Sequence, residues 1–139
     1  MRALKKEVSN TPYLDFLSDA GRAQEKIYPL GADMGARQYF YIGDVENGAL
    51  LMDMSRGGKE SGLDHYLKIA QFLNEAGVNT PETFNYDLSK GLALIEYLGD
   101  DSFGDAMRGG QNQKEMYLEA ARILKTIRQK IPDNKIHLP

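Results

Sequence analysis

The sequence contains no cysteine and only two histidines among its 139 residues. The lack of cysteine excludes disulfide bonds, thiol nucleophiles and cysteine-ligated zinc sites. Seventeen basic against 20 acidic residues give a net charge of -3, which excludes a broad basic surface for nucleic acid. No segment approaches the roughly 20 apolar residues that a transmembrane helix needs, and the N-terminus has no apolar stretch typical of a signal peptide. We therefore expect a cytoplasmic protein with neither nucleic acid nor a membrane as partner.

The first half of the chain contains helix, strand and turn patterns. Thr11-Pro12 predicts the start of a short helix, with Thr11 as its side-chain cap. Good strand formers fill residues 37–44, and residues 49–54 are apolar on both faces, which predicts a central strand. Asn47-Gly48 lies between these two strands. It predicts a tight hairpin in which both turn residues take positive φ.

A second hairpin and three helices are predicted in the other half. Apolar residues at helical spacing predict a helix over residues 63–76, and strands over 82–86 and 92–97 are expected to pair. Ser102 has the capping-box spacing to Asp105 for a short helix.

A long amphipathic helix is predicted over residues 113–130. Its apolar stripe is wider than the small sheet can cover, which indicates a partner layer outside this sequence. Two antiparallel hairpins with a helix between them indicate an α+β domain.

The order and spacing of four segments are informative: Pro29–Phe40, Leu51–Asp53, Ala76–Pro81 and Gly91–Asp100. Together these segments resemble the aminoglycoside phosphotransferase-like (protein-kinase-like) superfamily. The closest subgroup is the bacterial kinases of N-acetylmuramate and N-acetylglucosamine. In that order, the segments resemble its first hairpin, its third strand, its helix-to-strand connection, and its fifth strand with the interlobe hinge. The likeness runs from about Thr11 to Pro139.

This resemblance implies a kinase-like N-terminal nucleotide-binding lobe in residues 1–98, a twisted antiparallel sheet with an inserted helix. Residues 99–139 would then form the exit from the hinge and the first helices of a truncated C-terminal lobe. The implied enzyme uses ATP and Mg²⁺ to phosphorylate an amino-sugar or aminoglycoside-type hydroxyl. This chain alone is expected to bind nucleotide weakly, to need the missing lobe for its sugar, and to be inactive.

The resemblance also implies a nucleotide site made of a glycine-containing loop and the hinge. Small residues in the loop let backbone amides approach the phosphates, and backbone groups of the hinge hold adenine. From the local pattern alone, an ordinary hairpin loop and an acidic helix start at Asp100-Asp101 remain alternatives. The implied nucleotide-binding residues are Gly31, Ala32, Asp33, Gly35, Arg37, Asp53, Glu96, Tyr97, Leu98 and Asp100.

The sequence departs from the wider kinase pattern at the third strand. Kinases end this strand with a lysine that grips the phosphates and pairs with a glutamate, whereas here it ends in Met52-Asp53. The candidate substitutes for the lysine are Arg37, Arg56 and Lys59, and those for its acidic partner are Glu60 and Asp64.

The second departure concerns catalysis. Neither His65 nor His137 is followed by the aspartate of the family's catalytic loop. We therefore identify no catalytic residue and no metal ligand in this sequence.

Other functional classes fit the sequence less well. Ser55–Ser61 resembles a P-loop, but Asp53 replaces its first glycine and Glu60 its magnesium-binding hydroxyl residue. Carboxylates suited to glycoside hydrolysis are better explained by helix and hinge roles. A non-catalytic interaction module, dimerising through an exposed face of the lobe, stays the main alternative to a nucleotide-binding lobe.

Overall fold

The computed structural model describes residues 6–30, 37–44, 47–60, 62–99, 102–110 and 112–130. These residues form a mixed α+β structure with a five-stranded antiparallel sheet and four α-helices, which confirms the predicted class. Two 3₁₀ helices, Thr11–Tyr13 and Ser55–Glu60, accompany them. In chain order the main elements are α1 (Leu14–Asp19), β1 (Ile27–Pro29), β2 (Gln38–Ile42), β3 (Ala49–Asp53), α2 (Leu63–Glu75), β4 (Thr83–Asp87), β5 (Leu92–Glu96), α3 (Phe103–Arg108) and α4 (Gln113–Lys130).

Strand β3 is the centre of the sheet, whose order is β1-β2-β3-β5-β4. Every neighbouring pair of strands is antiparallel. Leu51 and Met52 point to opposite faces, because successive side chains alternate along a strand, and both are fully buried. The prediction of a central strand over this apolar run is confirmed.

Each face of the sheet is covered by part of one helix. On the face that we call the α1 face, Phe16 and Leu17 of α1 pack against a row of buried strand residues that includes Leu51 and Leu94. On the opposite face, the α2 face, Leu63 of α2 packs against buried residues from β3 and β5, with partly buried aliphatic and aromatic neighbours. The partly buried residues of the α2 face are Tyr39, Leu50, Tyr66 and Leu67.

The connection from β2 to β3 differs from the predicted hairpin turn. Neither Asn47 nor Gly48 has a positive φ, and Gly43 takes that conformation instead, at 99°. A Cβ on Gly48 would lie 2.0 Å from the phenolic oxygen of Tyr41. Gly48 is therefore needed because the Tyr41 ring crosses over it, and the predicted turn type was wrong.

The start of the first helix also differs from the prediction. Thr11 lies inside the first helical turn, which has no side-chain cap. Instead the Thr11 amide donates to Oγ of Ser9, at 3.2 Å. The predicted capping box of Ser102 and Asp105 is confirmed, with both of its reciprocal hydrogen bonds present.

The chain divides into two compact units, which are described separately. The first is drawn from Met1–Lys68 and Pro81–Leu98, and the second from Ile69–Thr80 and Gly99–Pro139. In the second unit, α4 has exactly the predicted bounds but contains no buried residue. In the part of the chain that the structure describes, no helix is both long and apolar enough to cross a membrane. The proposed division into residues 1–98 and 99–139 stays a prediction.

The central position of β3 predicts the effect of Leu51→Asp. Placing a carboxylate at this fully buried site should cost more than about 3 kcal/mol, a large part of a typical stability of about 5–15 kcal/mol. We expect loss of the cooperative thermal transition measured by circular dichroism. The control is Leu88→Asp, because Leu88 is half exposed. An unchanged melting temperature for Leu51→Asp would show that the sheet is assigned wrongly.

Candidate functional site

The strand register places the two predicted parts of the nucleotide site at opposite ends of the sheet. Asp53 pairs with Gln38, which follows the predicted phosphate loop, and with Leu92. At the other end Glu96, the start of the predicted hinge, pairs with Ala49. We call these the loop end and the hinge end. Ala49 and Asp53 are four residue steps apart along β3, which corresponds to about 13 Å at the rise of an extended strand.

A half-buried apolar surface lies at the hinge end of the α2 face. Tyr28 pairs with Tyr41, Tyr41 with Leu50, and Leu50 with Ile95, so these four side chains form one row across the sheet. The ring of Tyr97 meets that of Tyr41 edge-on, with centroids 4.9 Å apart. Tyr41 and Ile95 are buried, whereas the other three side chains are only partly covered. A flat aromatic ligand can therefore contact this row.

A cationic and phenolic cluster lies at the loop end of the same face. Arg37 is exposed and two residues before Tyr39, so strand alternation directs both side chains to the α2 face. Burial raises the pKa of the Tyr66 phenol, the nearby Tyr39 raises it further, and the positive charge of Arg37 lowers it. Tyr39 and Tyr66 also pack against the same buried cluster on this face.

Asp53 lies at the loop end but on the α1 face, with Ala49 and Leu51. It is 7% exposed, and both its oxygens accept hydrogen bonds: Oδ2 from the Tyr13 hydroxyl at 2.8 Å, and Oδ1 from the Ser55 amide at 2.9 Å. Burial opposes ionisation of this carboxyl. The hydrogen bonds from Ser55 and Tyr13, together with the charge of Arg56, outweigh it and lower the pKa of Asp53. It is therefore an anion at neutral pH.

The hinge residues have distinct surroundings. Glu96 is braced against Glu82, because its amide donates to the Glu82 carbonyl at 2.8 Å and its Oε2 accepts from the Glu82 amide at 3.1 Å. Leu98 is 67% exposed. Several predicted nucleotide-binding residues lie outside the residues that the structure describes: Gly31, Ala32, Asp33, Gly35 and Asp100.

The candidate substitutes for the kinase lysine, and those for its acidic partner, lie at different places in the structure. Arg37 is on the α2 face, whereas Arg56 directly follows Ser55, whose amide donates to Asp53 on the α1 face. Asp64 pairs with Lys68 one turn along α2, with Nζ and Oδ2 2.6 Å apart. The side chains of the remaining candidates, Lys59 and Glu60, lie outside the described part of the structure.

Magnesium has no assembled protein site among the described residues. No group of three or more histidine or carboxylate side chains there is arranged to hold a metal. Magnesium needs only one or two protein carboxylates when phosphates supply the other ligands, so this finding concerns only a site built from protein groups.

An open groove of about 470 Å³ lies away from this site. Asp19, Arg22, Phe84, Asn85 and Leu94 are among its lining residues, and Leu94 places it on the α1 face. The Arg22 guanidinium already donates to both Glu25 oxygens and to the carbonyl of Asn47. The arginine of this groove is therefore already paired, whereas the α2 face carries the exposed Arg37, and we place the candidate site on the α2 face.

Sequence reasoning missed three contributors to the α2 face. The sequence indicates only that Tyr28 and Leu50 lie in extended segments. Their position in one row depends on how three strands pair. Tyr66 was seen as part of an apolar helix face, and only the folded chain places its hydroxyl near Arg37.

The sequence can be compared with known protein families. Residues 26–135 match the sequence profile of the APH phosphotransferase enzyme family. The matched range contains all five strands and α2, and it begins after α1. No curated protein matches the chain.

The hydrogen bonds of Asp53 predict a dependence of stability on pH. Its pKa is lower in the folded than in the unfolded chain, so the unfolded chain binds more protons in acid and stability falls as pH falls. This contribution is complete above the ordinary value of 3.8 and is lost as pH drops through the lower folded value. Urea unfolding at pH 7 and pH 3 should show a smaller loss for Asp53→Asn than for the wild type. Equal losses would contradict the assignment. The control is Asp19→Asn, a change at an exposed carboxylate.

Proposed function

The chain belongs to the APH phosphotransferase enzyme family, and from this premise we propose that its sheet forms the ATP-binding part of a small-molecule kinase. The proposal places adenine at the hinge end of the α2 face and the triphosphate toward the loop end. One observation carries it: a half-buried apolar row and an exposed arginine lie on the same face, about 13 Å apart along the strands. An extended nucleoside triphosphate has a similar length.

The residues of the proposed site would act by positioning. Tyr28, Leu50 and Tyr97 would contact the base, and the hinge backbone from Glu96 to Leu98 would supply its hydrogen bonds. Arg37 would then take the place of the kinase lysine, because a guanidinium is always charged and donates to two phosphate oxygens at once. ATP supplies the phosphoryl group, and catalysis of its transfer depends mainly on such positioning and charge stabilisation.

The proposed acceptor is a hydroxyl of an amino sugar. This finer proposal rests on the likeness of Pro29–Phe40, Leu51–Asp53 and Gly91–Asp100 to kinases of N-acetylmuramate and N-acetylglucosamine. The sequence contains no histidine-x-aspartate loop. We therefore propose that the residues that bind the acceptor, the magnesium ligands and the catalytic base lie in a C-terminal lobe that this sequence does not include.

A second candidate function is a non-catalytic interaction module. The observation that favours it is the exposure of α4, where Tyr117 and Leu124 are 66% and 67% exposed. A module of this kind would self-associate through that apolar stripe and would not respond to nucleotide. Sedimentation velocity with and without ATP separates the two functions.

Nucleotide binding tests the first proposal directly. ATP should raise the melting temperature of the wild-type chain, since binding only to the folded state contributes about 2.7 kcal/mol at 100 times Kd. Arg37→Ala should weaken ATP binding roughly ten-fold or more, the loss expected for hydrogen bonds to a charged group, and should leave adenosine binding unchanged. Isothermal titration calorimetry measures both.

The matched control is Lys68→Ala. It also removes one positive charge from the first unit, but Lys68 pairs with Asp64 on the exposed side of α2. Equal effects of the two substitutions would show that the loss reflects overall charge. A wild-type chain that binds neither ATP nor adenosine would contradict the proposed function.

We also expect the chain alone to show no sugar-kinase turnover. Phosphoryl transfer needs a positioned acceptor as well as a bound nucleotide, and the chain lacks the catalytic loop. The measurement is release of ADP from ATP in the presence of N-acetylmuramate or N-acetylglucosamine. ADP formation that depends on the sugar, in highly purified protein, would show that catalytic residues are present within these 139 residues.

A further inference from the structure

Asp53 is the one polar or charged residue that is buried in the described core. Its neighbours on the α1 face, Leu51 and Leu92, are fully apolar. A buried carboxylate is costly unless it is hydrogen-bonded, and here two donors from different parts of the chain satisfy it. The geometry of those donors indicates what the carboxylate does.

The first donor is the phenol of Tyr13, which is 40 residues away in the sequence. The Tyr13 ring packs against Phe40 of β2, with centroids 5.3 Å apart. This contact orients the ring so that its hydroxyl reaches Asp53. Tyr13 precedes the range 26–135 that matches the family profile. The partner of Asp53 therefore comes from a segment outside the matched family region.

The second donor is the amide of Ser55, the first residue of the 3₁₀ helix Ser55–Glu60. Asp53 therefore fixes the direction in which the chain leaves β3. The next residue is Arg56, whose positive charge acts to lower the pKa of the Asp53 carboxyl and of the Tyr13 phenol. The pair holds the start of this basic segment at the loop end of the sheet.

Direct contact between Asp53 and a phosphate is unfavourable. The carboxylate is ionised at neutral pH, and two like charges in contact repel each other strongly in a partly buried site. It also lies on the α1 face, whereas Arg37 and the apolar row lie on the α2 face. The geometry therefore favours an indirect role for Asp53, in which its carboxylate does not contact the nucleotide.

We infer that Tyr13 and Asp53 form a positioning pair that sets the Ser55–Glu60 segment, and with it Arg56, for binding the nucleotide phosphates. This inference rests on the proposed function. It gives the segment before the family match a role in phosphate binding.

The test compares ATP with adenosine, which lacks the phosphates. Dissociation constants are measured by calorimetry on the full chain, well below the melting temperature of each variant. Tyr13→Phe keeps the ring against Phe40 but removes the donor. It should raise the Kd for ATP roughly three- to ten-fold, the effect of one lost hydrogen bond, and change the Kd for adenosine by less than about two-fold.

Two substitutions of Asp53 separate positioning from direct ligation. In Asp53→Asn the amide oxygen can still accept from Ser55, and the amide nitrogen can donate to the Tyr13 hydroxyl instead of accepting from it, so this variant should lose less ATP affinity than Asp53→Ala, which should lose roughly ten-fold. If Asp53 instead contacts the nucleotide through a metal, Asp53→Asn should lose as much as Asp53→Ala and Tyr13→Phe should lose nothing. That result would overturn the inference.

The control for loss of a phenol is Tyr86→Phe, at an exposed position on the edge strand β4. Equal losses of ATP and adenosine affinity in Tyr13→Phe would indicate a merely structural role and would also overturn the inference. If Asp53→Ala does not fold, the ATP and adenosine affinities of Tyr13→Phe test the inference. Failure of the proposed function is seen separately, as a wild-type chain that binds neither ligand, and the inference then fails with it.

Discussion

The antiparallel register of β3 between β2 and β5 is the constraint on which the rest of the structure depends. Because strand side chains alternate, a slip of one residue would exchange the faces of Met52 and Asp53. The observed register directs Met52 to α2 and Asp53 to Tyr13. The same register sets the distance between the loop end and the hinge end. Both the candidate site and the positioning pair are therefore consequences of one pairing pattern.

The two faces of the sheet differ in how completely they are covered. On the α1 face, Phe16 and Leu17 close the core, and the Tyr13–Asp53 hydrogen bond closes its loop end. On the α2 face, contact with the helix involves Leu63, Tyr66 and Leu67, which leaves the row at the hinge end partly exposed. A partly exposed apolar row and an exposed arginine about 13 Å away on the same face are the kind of groups that a nucleotide can bind.

The elements could be predicted from the sequence where one local pattern determines them. The apolar run of β3 and the heptad-like stripe of α4 are such patterns, and both elements were placed correctly. The turn at Gly48 was not predictable, because crowding by the Tyr41 ring replaces the usual preference for positive φ. The pairing of Tyr13 with Asp53 was also missed, since a contact between residues 40 positions apart depends on the completed sheet. Family likeness indicated the loop and hinge residues of the proposed site, which stay predictions, but it did not indicate the face of the sheet on which we propose that site.

The most direct test of the account is an NMR titration of the ¹⁵N-labelled chain with ATP. The account predicts that amide shifts concentrate at Tyr28, Leu50, Tyr97 and Leu98, with further shifts around Arg37. Adenosine should reproduce the shifts at the hinge end and omit those near Arg37. Shifts confined to the α1 face, at Phe84 and Asn85 of the open groove, would contradict the central claim that the nucleotide lies along the α2 face.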